Sequence, residues 1–404
     1  MKPITPLAAL LLPLAVLAQP APLLSITDPE GDDVGDGSLV YPRDQAFAPG
    51  DLDLRGLRVF AEDGGLRFEA TFRNPIRHPS TVKSGGLGSE DLSLFARRGF
   101  YAFNIDIYID TDRVRGSGNT ATLPGRHARI AASDAWEKVV VLTPRPELMR
   151  RQLVDAMKEA AAPGQADPEA AIDASVFFAT DVRVRGRTVS FFVPQKYLGS
   201  LDVAAWSLTA IVTAAKTTIE AGLSLGTPAR SAIERLALGA QQPTAGRPES
   251  AMGYTGDKPP ATAVVDLLAA DAQQQALQLA AGGELIGLHR DNRYGAMAAP
   301  RIAAPSAAAP AATASVPGQP TDSWFSRALD ALARAFGAGS AAPAVPAPAA
   351  PPPATAASAA RPARDAAFFE EQELRLRALK RLRDGGLISE EEYQQKRREI
   401  LDRL

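Results

Sequence analysis

Residues 100–112 read FYAFNIDIYIDTD, and this stretch decides the fold class of the chain. Every second residue from 101 to 109 is a tyrosine, phenylalanine or isoleucine, and the residues between them are mostly small or polar. A period of two places successive side chains on opposite faces of a β-strand, so the stretch predicts a strand with one strongly apolar face.

Weaker signals of the same kind lie on both sides of this strand. An Asp-Gly-Gly turn at 63–65 and an Arg-Gly-Arg turn at 185–187 each separate two alternating segments and therefore predict hairpins. The segments 136–144 and 204–214 are further strand candidates, whereas 145–173 has a helical pattern. Antiparallel strands joined by short turns predict an all-β fold, an antiparallel β-sandwich with a helical insert.

The N-terminus and the composition predict where the protein works. A lysine, an apolar run and small residues at Val16 and Ala18 are typical of a signal peptide over residues 1–18, with retention as an anchor as the alternative. The mature chain is then exported and is periplasmic, cell-surface or secreted. The chain has no cysteine, which excludes disulfides and thiolate metal sites, and its net charge of −2 argues against a nucleic-acid partner.

The composition changes sharply near residue 298 and divides the chain. A globular body is predicted over residues 22–297. Two Ala/Pro-rich segments, 298–320 and 338–364, cannot bury enough apolar surface to fold and are predicted to be disordered linkers. They flank a short amphipathic helix at 321–337, and the second linker leads to a C-terminal α-helical hairpin at 365–404.

Both of these helical segments are too small to be stable alone. For 321–337 the alternatives are docking on the body or on a partner, and contact with a membrane surface. For 365–404 an apolar seam predicts contact with a protein partner or with a second copy of the chain. The seam consists of Leu376, Leu379, Leu382, Leu387, Ile400 and Leu401.

Negative charge is concentrated near the predicted mature N-terminus. Between Asp28 and Asp36 five of nine residues are acidic, with glycines among them. Clustered carboxylates repel one another unless a cation binds, and Ca²⁺ takes about six to eight oxygen ligands from such loops. The stretch is therefore either a calcium site or a solvated surface loop. The same choice applies to a second acidic group, Asp106, Asp110 and Asp112.

Residues 26–74 resemble the opening of the C-terminal domain of bacterial glucodextranases, which begins with a D-P-x-G-D-D-x-G-x-G element. The later IDIYIDTD run and the Ala135-Trp136 pair are similar to further strands of that family, and the likeness covers roughly residues 24–290. The resemblance implies a β-sandwich similar to family 9 carbohydrate-binding modules and to DOMON-like domains. It also implies calcium-stabilised loops and attachment to polysaccharide or to a cell-surface glycan.

The same resemblance, carried over position by position, implies individual site residues. The implied calcium ligands are Asp28, Asp32, Asp33 and Asp53, whereas Asp36 stands where the family has a small residue or a proline. Sugar rings stack on exposed aromatic faces, so exposed tyrosines or tryptophans would be needed for glycan binding. The candidates, with a place in the core as the alternative for each, are Tyr41, Tyr108, Trp136 and Trp206.

The C-terminal segment carries a second resemblance. Residues 376–404, LRALKRLRDGGLISEEEYQQKRREILDRL, resemble the bacterial short C-terminal domain called SHOCT. This resemblance implies oligomerisation or contact with a protein partner, and no catalysis.

One motif argues for an enzyme. The sequence GLSLG at 222–226 fits the G-x-S-x-G turn of serine hydrolases, and Asp266 or Asp271 followed by His289 completes the order of a triad. That turn belongs to folds with parallel strands and alternating helices, whereas the strands here are predicted to be antiparallel. The sequence thus predicts a non-catalytic, exported envelope protein that binds calcium and glycan. A protein-interaction scaffold without glycan binding and a serine hydrolase using Ser224 are the alternatives.

Overall fold

The computed structural model describes residues 20–44, 46–82, 96–160, 167–215, 237–249 and 251–290, together with Ala328 and Gln394. The predictions for the signal peptide, the linkers and the C-terminal hairpin therefore lie outside the described residues, apart from the helical Gln394. The chain forms two compact units, residues 1–219 with 230–341 and residues 220–229 with 342–404. All elements named below belong to the first unit.

The described part of the chain is dominated by short strands. In chain order they are β1 (Leu24–Thr27), β2 (Leu39–Val40), β3 (Leu54–Glu62), β4 (Gly65–Phe72), β5 (Phe103–Asp110), β6 (Lys138–Leu142), β7 (Val176–Phe178), β8 (Val182–Arg185), β9 (Thr188–Pro194), β10 (Ser207–Ala214), β11 (Thr244–Ala245), β12 (Gly253–Tyr254) and β13 (Val264–Leu267). The α-helices are α1 (Pro146–Ala160), α2 (Pro168–Ser175), α3 (Gln195–Leu198) and α4 (Ala272–Leu279).

Two five-stranded sheets form the body and confirm the predicted all-β sandwich. Sheet I has the order β1-β3-β4-β9-β8 and is antiparallel throughout. Both predicted hairpins are present in sheet I, and Gly64 (φ 80°) and Gly186 (φ 59°) supply the positive φ that their turns need. Sheet II has the order β13-β10-β5-β6-β7, and a small third sheet has the order β11-β12-β2.

One strand pair of sheet II departs from the antiparallel prediction. β7 runs parallel to β6. The helical insert predicted at 145–173 is present as α1 and α2, which connect the end of β6 to the start of β7. Because a parallel pair needs a long crossover connection, the insert determines the direction of β7.

The strand predicted from residues 100–112 is β5, the central strand of sheet II, and it is buried on both faces. Phe103, Ile105, Ile107 and Ile109 pack in the main core between the two sheets. The alternate residues face the other side of sheet II, where Tyr108 belongs to a second apolar cluster. The predicted apolar face therefore lies between the sheets, and the polar face is covered as well.

This covering layer was not predicted from the sequence. Met149 and Leu153 of α1, Ile172 of α2 and Leu279 of α4 pack with Trp136 in the second cluster, over the outer face of sheet II. Ala328, the one described residue of the predicted 321–337 helix, is helical and belongs to the same cluster. The body thus has three layers, and the outer face of sheet I carries the half-buried and exposed side chains.

A buried ion pair joins β5 to the covering layer. Asp106 accepts hydrogen bonds from Arg126 Nε at 2.6 Å and from Nη2 at 3.1 Å, and both side chains are almost fully buried. Arg126 also donates to the carbonyl oxygens of Pro124, Ala237 and Leu238. Asp106 is therefore separate from the predicted second acidic group, because its carboxylate is occupied by an arginine.

Among the described residues, no helix has the length and apolar composition needed to cross a membrane.

Candidate functional site

Three aspartates meet where the edges of the two sheets adjoin. Asp28 follows β1, the edge strand of sheet I; Asp32 lies in the next loop; and Asp266 belongs to β13, the edge strand of sheet II. One carboxylate oxygen of each lies within 4.8 Å of the others. We call these three residues the Asp28 cluster.

The Asp28 cluster contains buried oxygen atoms without hydrogen-bond partners. Only 5% of Asp32 is exposed, and neither of its two carboxylate oxygens has a hydrogen-bond partner. Asp28 accepts from the Ala269 amide at 2.7 Å through Oδ1, and its Oδ2 has no partner. A buried carboxylate without a donor or a cation is costly, and either a proton or a cation would lower this cost.

Asp266 is held rigidly within the cluster. Its Oδ2 accepts from the Leu54 amide at 2.6 Å, and its Oδ1 accepts from the Leu267 amide at 2.9 Å. The Leu54 contact joins the start of β3 in sheet I to β13 in sheet II. Gln275 of α4 donates to the carbonyl oxygen of Asp32 and thereby fixes the loop.

The electrostatics of the Asp28 cluster disfavour three negative charges. Burial, reinforced by the charges of Asp32 and Asp53, raises the pKa of Asp28 to about 9. Burial likewise raises the pKa of Asp32 to about 6, and it raises the pKa of Asp266 well above its ordinary value. Without a cation, these carboxyl groups therefore keep their protons to higher pH than ordinary aspartates do, and Asp32 ionises before Asp28.

Asp53, another predicted ligand, lies beside the cluster and is partly neutralised by arginines. Its Oδ2 accepts from the Gly31 amide at 2.7 Å and lies 3.6 Å from Arg73 Nη1, while its Oδ1 lies 3.9 Å from Arg55 Nη1. The same arginines contact Glu30 at 3.2 and 3.7 Å. Burial raises the pKa of Asp53, and its Oδ1 accepts no hydrogen bond, so this oxygen remains available to a cation.

Asp33, which the resemblance implies as a ligand, is not one of the three grouped carboxylates. Its Oδ2 accepts from the Tyr41 hydroxyl and from the Gly50 amide, the latter at 2.8 Å. These donors bind one oxygen of the carboxylate in a buried loop contact. Asp33 thus stabilises the fold of the acidic stretch, and Asp266 takes its place among the grouped carboxylates.

The four aromatic glycan candidates also require correction. The structure places Tyr41, Tyr108, Trp136 and Trp206 in the core, with between 0% and 6% of each residue exposed. Trp136 donates to the Ala121 carbonyl oxygen, and Tyr108 donates to Asp106. A ring must present a face to solvent to stack on a sugar, so these four side chains serve packing here.

Sequence reasoning missed Asp266 as a member of the acidic site. The sequence does contain a signal, because Asp266 interrupts the apolar run VVDLL. The triad hypothesis, however, uses Asp266 only as a possible partner of His289. A charged residue in the middle of a buried strand requires a partner. The identity of that partner depends on contacts between residues more than 200 positions apart in the chain.

The residues of the proposed serine triad are not assembled among the described residues. Ser224 lies outside the described residues. His289 Nδ1 lies 3.3 Å from the Trp206 carbonyl oxygen, and Nε2 lies 3.4 Å from Arg113 Nη2. Asp266 belongs to the Asp28 cluster, and Asp271 caps α4 by accepting from the Gln274 amide. Neither aspartate therefore orients the histidine.

The Asp28 cluster fits a hard divalent cation. Oxygen ligands on opposite sides of a Ca²⁺ ion are about 4.6–5.2 Å apart, because each lies about 2.3–2.6 Å from the ion. The carboxylate oxygens of the cluster lie within 4.8 Å of one another, so they are close enough to share one ion. Asp32 supplies two free oxygens and Asp28 supplies one, so the donor set and its charge match such an ion.

Comparison with known proteins supports the same organisation. A search of the curated proteins found no significant match. Residues 375–401 match the SHOCT short C-terminal domain. Residues 23–283 match the family described as the C-terminal binding module, SLH-like, of glucodextranase, which is the binding part of that protein and not its catalytic domain. Because this match spans more than half of the chain, the protein belongs to the glucodextranase C-terminal binding-module family.

Proposed function

We propose that the chain is an exported, non-catalytic cell-envelope protein whose β-sandwich attaches to polysaccharide or to a cell-surface glycan and is stabilised by Ca²⁺. The observation that carries the calcium proposal is Asp32, a buried side chain whose two oxygens have no partner. Asp28, Asp32 and Asp266 would bind the ion, with Asp53 as a further acidic neighbour. The ion would supply positive charge that joins the edges of the two sheets.

Glycan contact falls on the outer face of sheet I in this proposal. Helices and loops cover the outer face of sheet II, so that face is closed to a polymer. The outer face of sheet I offers hydrogen-bonding side chains such as Glu69 and Ser190 around the half-buried Phe192. An aromatic ring among polar groups is a suitable contact for a sugar.

Retention on insoluble polysaccharide tests this assignment. We expect the full chain with Ca²⁺ to be retained on dextran, starch or peptidoglycan, and Phe192→Ala to reduce retention several-fold. Phe177→Ala, at a half-buried phenylalanine of sheet II, is the matched control and should bind like the wild type. Retention on none of the three would favour the scaffold alternative, and fluorophosphonate labelling of Ser224 would instead support the hydrolase.

Calcium binding is tested at Asp32. We expect Asp32→Asn to weaken Ca²⁺ binding at least tenfold in isothermal titration, because the amide removes the charge of the side chain with two free oxygens. Asp36→Asn is the matched control, since Asp36 lies in the same loop but accepts hydrogen bonds from Ser38. Equal affinities in the two variants would contradict the proposed ligand set.

The SHOCT segment would recruit a protein partner or a second copy of the chain. We expect Leu379→Glu combined with Leu382→Glu to lower the molar mass of the full chain in light scattering, because two charges enter the apolar seam. Arg381→Glu, which lies outside the seam, is the control. If the wild-type chain is already monomeric and the variant has the same mass, self-association through this segment is excluded. Contact with a different protein would then be sought by cross-linking.

A further inference from the structure

A second acidic cluster lies at the end of the central strand of sheet II. Asp110 is the last residue of β5, Asp112 lies in the next loop, and Glu137 immediately precedes β6. One carboxylate oxygen of each lies within 4.8 Å of the others. We call these residues the Asp110 cluster.

The Asp110 cluster is distinct from the Asp28 cluster. Asp266 pairs with Val212 of β10, which in turn pairs with Ile105 of β5. Asp110 is five residues farther along β5, which corresponds to roughly 17 Å of strand. One ion therefore cannot serve both clusters.

Asp110 supplies the observation that points to a ligand. Only 1% of the residue is exposed. Its Oδ1 accepts from the amides of Asp112 and Arg113, at 3.2 and 2.6 Å, but its buried Oδ2 has no hydrogen-bond partner. A buried carboxylate oxygen on a residue grouped with two further carboxylates lacks the donor or cation that such an atom requires.

The surroundings of Asp110 are negative rather than compensating. Burial, together with the charges of Glu137 and Asp112, raises the pKa of Asp110 to about 7. Burial and the charge of Asp112 also raise the pKa of Glu137. The Ser117 hydroxyl lies 2.8 and 2.9 Å from the two oxygens of Asp112 and 3.2 Å from Glu137 Oε1, so it adds a neutral oxygen at the same point.

We propose that the Asp110 cluster is a second divalent-cation site, bound by Asp110, Asp112 and Glu137. Three carboxylates and a hydroxyl are hard oxygen donors, and their spacing suits Ca²⁺. The ion ties the loop after β5 to the start of β6. This site does not depend on the Asp28 cluster or on glycan binding.

The number of ions bound by the full chain tests the proposal. After equilibrium dialysis against just-saturating Ca²⁺ at pH 8, elemental analysis should find two ions per wild-type chain and one in Asp112→Asn. Asp112 is exposed, so its conversion to the isosteric amide leaves the core intact. Glu137→Gln should lose the same ion, and the control Asp36→Asn should keep both.

Failure at the two clusters can be told apart. If Asp112→Asn and Glu137→Gln bind as many ions as the wild type, the second site is overturned. If instead Asp32→Asn binds as many ions as the wild type while Asp112→Asn loses one, the Asp28 cluster fails and the second site stands. Both sites are supported if Asp32→Asn and Asp112→Asn each lose one ion and the variant that combines them loses both.

Discussion

Arg126→Met is expected to lower the free energy of unfolding by about 3–5 kcal/mol, because it leaves the Asp106 carboxylate buried without its partner. Arg126 is fully buried, and its guanidinium serves three carbonyl oxygens as well as Asp106. Methionine fills much of the volume but donates no hydrogen bond. Urea denaturation of the full chain in excess Ca²⁺ measures the change without interference from metal loss.

Two further variants separate the ion pair from general packing. Arg126→Met combined with Asp106→Leu removes both charges and should recover part of the lost stability, although the carbonyl oxygens remain unpaired. Arg129→Met, at a nearby arginine that donates to the Thr120 hydroxyl at the surface, should cost less than about 1 kcal/mol. A loss at Arg126 no larger than the loss at Arg129 would contradict the structural role.

Chelation of calcium is expected to lower the melting temperature at pH 8 by at least about 5–10 °C, which is the effect of one ion. An ion present at a hundred times its Kd stabilises the native state by about 2.7 kcal/mol. One kcal/mol corresponds to about 2–4 °C for a domain of this size class. Thermal denaturation of the full chain with Ca²⁺ or with EDTA measures the difference.

The size of this difference should depend on pH. The folded, metal-free protein raises the pKa of Asp32 to about 6 and that of Asp28 to about 9, above the ordinary value of 3.8. The unfolded chain then loses these protons at lower pH than the folded chain. The contribution of these two carboxylates to metal-free stability is therefore fully present below about pH 4 and is lost as the pH rises through their folded pKa values. Ca²⁺ bound at the proposed site would compensate the ionised carboxylates.

The gap between the Ca²⁺ and EDTA melting curves should therefore be small at pH 5 and widest near pH 8. Comparing the two curves at each pH removes the contribution of groups outside the metal sites. Asp32→Asn should narrow the gap at pH 8. A gap of the same size at both pH values would show that the buried carboxylates of the Asp28 cluster are not the groups that the ion neutralises.

The sequence predicted the elements whose pattern is local. The period of two in β5 and the two glycine turns follow from neighbouring residues, and the structure confirms them. The layer over sheet II could not be predicted in the same way. Its helices are short, and their apolar residues pack with Trp136 and Tyr108, which lie on other elements.

The candidate site shows the same division. Composition marked the acidic stretch as a candidate metal site, and Asp28 and Asp32 of that stretch do lie together. Composition could not distinguish Asp33 from Asp32. The Tyr41 hydroxyl donates to Asp33 Oδ2, and this contact exists only in the folded loop. Nor could composition add Asp266, whose approach depends on how the edges of the two sheets meet.

The contact between Asp28 and the Ala269 amide spans 241 positions of the chain, so the two ends of the β-body are fastened beside the same carboxylates. A nascent or truncated chain that ends before β13 lacks both Asp266 and the Ala269 amide. At the proposed calcium site, tight ion binding would then require the complete body, and Ca²⁺ would bind only after β13 has docked. Removing residues from either terminus of the body should release the opposite one as well.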